Sequence, residues 1–392
     1  MPKTGTPAAS GSVFGPGEGA WRSIGVEEEL LLVDAETAAP VPVAPRVLRH
    51  SSPASAGFTV VAELHREMLE LVSSPQRALA DAFEGILAAR EFADDAARRV
   101  GARAAPLATS PLPGTPHPSA GDRYRQMVDR YGALPRRCMT CGLHVHVSIE
   151  SPAEGVQVLD RIRVWLPVLR ALAANSPFHD GVDTGYASYR FSQWSAWPSS
   201  GPTDLYGDLA AYERSMSEVL ATGALLDEHM WYPDARLSRH VPTVEIRVAD
   251  VPLLPDATAA IAALCRGLVT VVARQARAGV AAPSTSSAAL RLASWTASLE
   301  GLDGQLVHPQ HGVPAPAAEV VAALLDVAAD GLDLYGEEAA VRSGIARILR
   351  EGNGASRQRA RAASEGLPAM VLGLTSDSLR AGEPPAASAA TA

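Results

Sequence analysis

Lysine is all but missing from this 392-residue chain: Lys3, near its start, is the only one. A Walker-type phosphate loop needs a lysine at the phosphates, a pyridoxal enzyme needs one for its Schiff base, and a protein kinase needs one on an early strand. All three are excluded, and any cation in an active site must come from arginine, histidine or a metal. Cysteine is scarce too. Cys138, Cys141 and Cys265 are too few for a disulfide framework, and a chain of this length needs none to build a core. A basic excess is absent: the formal net charge is −9, which argues against a nucleic-acid backbone as partner, while local arginines and metal ions still suffice for ATP. No apolar run of about 18 residues stands out, so no membrane partner is expected. The Gly-, Ala-, Ser- and Pro-rich opening lacks the apolar centre of a signal peptide. The expectation is a cytoplasmic protein with disordered tails over residues 1–20 and 376–392.

What is present is an ordinary globular composition, 47% hydrophobic and 20% charged, with strand-like and helical patterns interspersed. Strands are predicted over residues 23–33, 103–108, 142–149 and 242–251. Helices are predicted over 76–100, 122–131, 154–174, 208–221, 256–278, 319–330 and 337–350. Residues 178–202 carry Gly, Ser, Pro and aromatic side chains without clear periodicity. A single α+β domain over residues 21–375 accounts for the pattern.

Three strands each show one polar face. In the first, Ile24, Val26, Glu28, Leu30 and Leu32 alternate with Gly25, Glu27 and Glu29, so one face is mostly apolar and the other carries two neighbouring carboxylates. Like charges on one face repel unless something neutralises them, and a divalent metal would do so. In the second, Leu143, Val145, Val147 and Ile149 oppose His144, His146 and Ser148. In the third, Val244, Ile246 and Val248 oppose Thr243, Glu245 and Arg247. Each pattern alone also fits a solvated surface. Together they predict an antiparallel sheet with a polar floor suited to hard divalent cations, with ATP phosphates above them. Glu63, Glu67 and Glu70, at spacings of four and three, read by periodicity as the solvated face of a helix; the alternative is an irregular segment that supplies further metal ligands.

At these residues the chain resembles the bacterial carboxylate–amine ligases of the glutamate–cysteine ligase type 2 family. The resemblance lies in Ile24-Gly-Val-Glu-Glu-Glu-Leu-Leu-Leu-Val-Asp34, Cys141-Gly-Leu-His-Val-His-Val147, Pro242-Thr-Val-Glu-Ile-Arg-Val-Ala-Asp250, and Gly185-Tyr-Ala-Ser-Tyr-Arg190 through Gly201-Pro202, in order over residues 22–305. It implies a glutamine-synthetase-like catalytic domain: a curved antiparallel sheet with helices on its convex side, and ATP with two or three Mg²⁺ ions (Mn²⁺ as an alternative) on the concave side. By position it implies Glu27, Glu29, Glu63, Glu70, His144 and Glu245 as metal ligands. Arg190, Arg236 and Arg247 become contacts to phosphate or substrate carboxylate, and Glu27, Glu29 and Arg247 the catalytic group. The implied reaction turns a carboxylate, glutamate's γ-carboxylate, into an acyl phosphate that an amine such as cysteine then attacks; a homodimer is compatible with the sequence.

The chain departs from the family where many members carry Glu-Asn before a Trp-x-Ala segment and an Arg after it. Here Leu292-Ala293 precede Trp295, and Leu299 stands at the Arg position, which bears on the acceptor. Two other readings follow from the residues. Cys138, Cys141, His144 and His146 offer two thiols and two imidazoles to a zinc ion, at a spacing unlike the common finger. The departures at Leu292, Ala293 and Leu299 also admit a relative that binds an amino acid or nucleotide without turnover.

Overall fold

The computed structural model describes residues 21–50 and 57–380; the expected tail at 1–20, and residues 381–392 of the one expected at 376–392, lie outside them. Seven strands form the main sheet: β1 (Ile24–Asp34), β2 (Phe58–Ala62), β3 (Met68–Ser73), β4 (Ala102–Ala105), β5 (Gly142–Ser148), β6 (Ala235–Leu237) and β7 (Thr243–Asp250). The order is β2-β3-β1-β5-β7-β6, every pairing antiparallel, with β4 paired to the far end of β1. The three strands with polar faces are therefore adjacent at the centre, and their registers put Glu27 opposite His144 and His146 opposite Glu245.

Ile24 and Val26 of β1 and the apolar alternates of β5 and β7 form one core with the helix Pro255–Arg277 and its neighbours. That helix is long and apolar enough to cross a membrane, with a mean hydropathy of 1.6 over 18 residues. This corrects the expectation that no such run exists; 94% of the run is buried inside the protein as its central core helix. The second half of β1 is buried on both faces, because Leu31 and Val33 meet β4 in a second core with the Ala-rich helix Leu79–Arg98 and Met370, Val371 and Leu374.

The predicted helix over 154–174 is two helices, Pro152–Ile162 and Leu166–Ala173. Pro167 has no amide hydrogen to give to the carbonyl four residues back, so the helix cannot run through. The first of the pair begins where Ser151 caps the Glu154 amide at 3.1 Å, with proline at the first turn. The aperiodic stretch holds a two-residue-strand hairpin, Phe178–His179 with Val182–Asp183, and a short helix, Tyr189–Trp194. The last helix, Leu367–Asp377, runs past the expected tail boundary at 376, and Ser378 is buried.

Candidate active site

The polar face of the sheet floors an open cleft of about 500 Å³. Strand alternation delivers Glu27 and Glu29 from β1, His144 and His146 from β5, and Glu245 and Arg247 from β7 to one side, while their neighbours go to the core. Glu70 comes from β3, directly opposite Glu29 in the register, and Glu63 from the turn just after β2. The segment 63–70 is thus a hairpin bend and not the solvated helix that its spacing suggests. Glu67 turns the other way, where it is buried and paired to His117 at 2.6 Å. All six predicted ligands, with Arg236 and Arg247, line this one cleft.

Glu27 Oε2 lies 3.1 Å from His144 Nδ1, and Glu27 Oε1 lies 3.2 Å from His146 Nε2. Glu245 Oε1 is 4.0 Å from His144 Nδ1, and Glu245 Oε2 accepts from Arg236 Nε at 2.7 Å and pairs with Arg247 through its other oxygen. Ligand atoms of Glu27, His144 and Glu245 lie within 4.8 Å of one another, a spacing that one cation can bridge. Burial, then the nearby Arg247 charge, lowers the His144 pKa, which favours the neutral ring that a metal requires.

Among the described residues, Glu29, Glu63 and Glu70 form no ion pair, though the Arg247 charge acts on Glu63 and Glu70. Burial, and next the Glu29 charge, pushes the Glu63 carboxyl up to about 8. Burial, followed by Glu63, Glu27 and Glu29, pushes Glu70 well above its ordinary value. Glu27 and Glu245 go the other way. Burial would raise both, but the two imidazoles outweigh it at Glu27, and Arg247 and Arg236 do so at Glu245. An oxygen-rich donor set with one imidazole, in which two carboxyls are pushed up by burial and neighbouring acids, fits hard divalent cations.

Arg190 is buried beside this floor. It is 2% exposed and does not line the cleft; a Cβ placed on Gly142 would come within 2.3 Å of its Nη2. Its guanidinium thus lies against the β5 backbone, next to the Gly142 amide that donates to Glu29 Oε2 at 2.5 Å. The zinc reading fails. Cys138 belongs to one core and Cys141 to the other, while His144 and His146 face the cleft. Burial pushes the Cys138 thiol up to about 11 and Cys141 well above its ordinary value.

Sequence reasoning missed Arg123, Trp194, His229, Tyr232, Arg239 and His240, which also line the cleft. The only signal was the aromatic content of the aperiodic segment for Trp194; nothing in the pattern of the helix Asp122–Tyr131 singles out Arg123. The helix that carries the departures, Ser287–Glu300, leaves Leu292 exposed, and its carbonyls at Ser298 and Leu299 accept from the Ala187 amide, just ahead of Arg190.

Comparison with known proteins gives the family and the fold. A provisionally named glutamate–cysteine ligase 2-1 of Streptomyces avermitilis is 47% identical over 339 residues, 86% of this chain and 94% of its own length. A Streptomyces coelicolor protein, provisionally named glutamate–cysteine ligase 2, is 45% identical over 86% of this chain and 93% of its own. Among solved structures, the AMP complex of the Francisella tularensis glutamate–cysteine ligase aligns with a TM-score of 0.65 at 14% identity, covering 93% of this chain and 90% of that one. A bifunctional glutathione synthetase from Pasteurella multocida gives the same TM-score at 16% identity over 91% of this chain and 52% of that one. These two show the fold, which is the glutamine-synthetase-like α+β architecture that the motifs imply. With the profile of glutamate-cysteine ligase family 2 matching residues 23–371, the chain belongs to that family.

Proposed function

We propose that the protein is an ATP-dependent ligase that joins glutamate's γ-carboxylate to a small amine, cysteine or another, through an acyl phosphate. The observation that carries this reading is the convergence of five carboxyls, Glu27, Glu29, Glu63, Glu70 and Glu245, with His144 on one cleft floor. These six would hold two or three Mg²⁺ ions, or Mn²⁺. Such ions, when bound, supply the positive charge that lets an anionic carboxylate approach a γ-phosphoryl group.

The protein's own groups do the rest. Arg247 and Arg236, braced by Glu245, present guanidinium forks for phosphate or substrate carboxylate at the edge of the floor. A neighbouring cavity of about 510 Å³ shares Glu27 and His146 with the cleft and is walled by Val26, Val72, Ile149 and Val241, which suits the nucleoside end of ATP. A carboxylate oxygen forms its bond to the γ-phosphorus as ADP leaves. The amine nitrogen then bonds to the acyl carbon, the carbon–oxygen bond to phosphate breaks, and phosphate departs. The proton lost by the amine passes to solvent or a cleft carboxylate. No nucleophilic side chain is required.

The test is Mg²⁺-dependent phosphate release from ATP with glutamate and a panel of amines, with products identified by mass. Amine-dependent phosphate and a γ-glutamyl amide are expected. Folded, ATP-binding protein that releases no phosphate with any acceptor would instead favour a relative without turnover.

A further inference from the structure

The short helix Tyr189–Trp194 borders two separate spaces. Trp194 lines the catalytic cleft, with the Arg190 guanidinium over its ring at 5.8 Å. Tyr189 and Gln193, one helical turn apart, line a second, open cavity of about 690 Å³. That volume is ordinary for a small-molecule site, for which about 300–1,000 Å³ is typical. No residue that lines the cleft lines this cavity. Cys138 is the one lining residue it shares with the small pocket beside Glu29 and Glu63.

Another part of the cavity wall is the single 3-10 turn Leu134–Arg136 and the residue that follows it. These place two consecutive guanidiniums, Arg136 and Arg137, at the cavity. Both residues are exposed, and among the described residues neither side chain forms an ion pair or a hydrogen bond. Asp180 is the one acid that lines the cavity among the described residues, and it lies 3.6 Å from His179 Nε2, so positive charge is in excess there. The remaining surface suits a flat apolar group. The His179 and Tyr189 rings stand 5.3 Å apart with their planes tilted by 34°, and Gln193 Nε2, 2.9 Å from His179 Nε2, holds the imidazole in place. Leu134 and Met139 add aliphatic surface.

We infer that this cavity is a binding site for a small aryl carboxylate, distinct from the catalytic cleft, with the carboxylate on Arg136 and Arg137 and the aryl group against Tyr189 and His179. A guanidinium fork matches the two oxygens of a carboxylate, and two forks on consecutive residues give one anion several charge-assisted bonds. An aryl group gains from offset or edge contacts with the two rings. A bare anion would leave the ring surface uncovered, and a neutral aryl compound would leave both guanidiniums unpaired, so the two halves of the site together specify the class. The inference is independent of the ligase reading, because no group of the carboxylate floor takes part in it.

The test is calorimetric titration of the full chain, without nucleotide or added metal, with 2-naphthoate, its neutral amide 2-naphthamide, and acetate. One-site binding of 2-naphthoate is expected, with the amide and acetate each weaker by about tenfold or more. Replacing both arginines, Arg136→Gln with Arg137→Gln, is expected to weaken 2-naphthoate by about tenfold or more; both positions are exposed, where substitutions disturb a fold little. Ala196→Trp, at an exposed position of the lining, fills the cavity and is expected to abolish binding. Melting curves establish that each variant is folded, and should one fail to fold, the other and the three-ligand comparison still decide. No binding of 2-naphthoate, an affinity no higher than that of 2-naphthamide, or an affinity unchanged in either folded variant would overturn the assignment.

Discussion

Three consecutive glutamates on β1 meet opposite fates. Glu28 points into the core and is sealed there: Arg90 Nε and Nη2 donate to its two oxygens at 2.8 and 2.6 Å, and the Thr258 hydroxyl adds a third bond at 2.7 Å. Arg90 spends its other donors on the Leu253 and Pro252 carbonyls at 2.8 Å each. Both side chains are almost wholly buried, and every charge has a counterpart. One residue to either side, Glu27 and Glu29 face the cleft, where Glu27 is held by the His144 and His146 rings while Glu29, Glu63 and Glu70 form no ion pair among the described residues. A carboxylate whose partners come from the chain holds the fold together. Carboxylates left short of partners are prepared for something the chain does not supply, and they burden the fold until it arrives.

The sharpest way to separate the two faces is to neutralise one acid on the cleft side. Glu29→Gln keeps the shape and the acceptor atom for the Gly142 amide but removes a charge from the floor. Turnover is expected to fall by about a thousandfold, roughly 4 kcal/mol of transition-state stabilisation. Thermal stability without metal should be unchanged or higher, because a repulsive neighbour of Glu63 and Glu70 is gone. Steady-state phosphate release and a melting curve check both halves, and wild-type turnover would remove Glu29 from the chemistry.

The converse change lies on the sealed face. Arg90→Ala strands the Glu28 carboxylate in the core, and the expected loss of stability is about 3–5 kcal/mol, read as a lowered urea midpoint. Activity measured well below that midpoint should stay within a few-fold of wild type, since Arg90 lines no part of the cleft. Replacing the two together, Glu28→Met with Arg90→Met, should restore much of the loss, because a buried pair exchanged for apolar groups is often neutral or better. A double variant as unstable as the single one would show that the pair's bonds to Thr258 and the Leu253 and Pro252 carbonyls matter more than its charge balance.

Period-two alternation made much of this legible from sequence. It put Glu27, Glu29, His144, Glu245 and Arg247 on the open side of their strands, and the adjacency of β1, β5 and β7 brought them together. Alternation tells which side a residue faces but not what waits there, so Glu28 read as one polar residue on an apolar face, while its partner Arg90 sat unmarked in an Ala-rich helix. Glu63 and Glu70 were misread by period for a physical reason. The bend between β2 and β3 resets the alternation, and a spacing of seven across a hairpin looks like two turns of helix. Only the family motif singled them out. Arg190 packs against Gly142, at the end of the row that carries His144 and His146 but outside the cleft lining, and Arg123 left no trace, because helix periodicity marks a face and not the ring or carboxylate it will meet.

Smaller in size but more diagnostic is the pH dependence of the metal-free protein. Glu63 holds its proton up to about pH 8 in the folded state, against an ordinary value of 4.5 in the unfolded chain. Between those values the folded state binds more protons than the unfolded one, so stability must fall as pH rises. In EDTA, the melting temperature is expected to drop between about pH 5 and pH 8 by a few degrees, and Glu63→Gln should flatten that drop. Mg²⁺ should reverse it, because a cation that binds only the folded floor adds about 2.7 kcal/mol at a hundred times its dissociation constant, and it binds best once the acids are ionised. A metal-free protein that gains stability toward pH 8 would mean that the cleft arginines already neutralise Glu63 and Glu70. The contrast between the sealed and the open face of β1 would then be one of exposure alone.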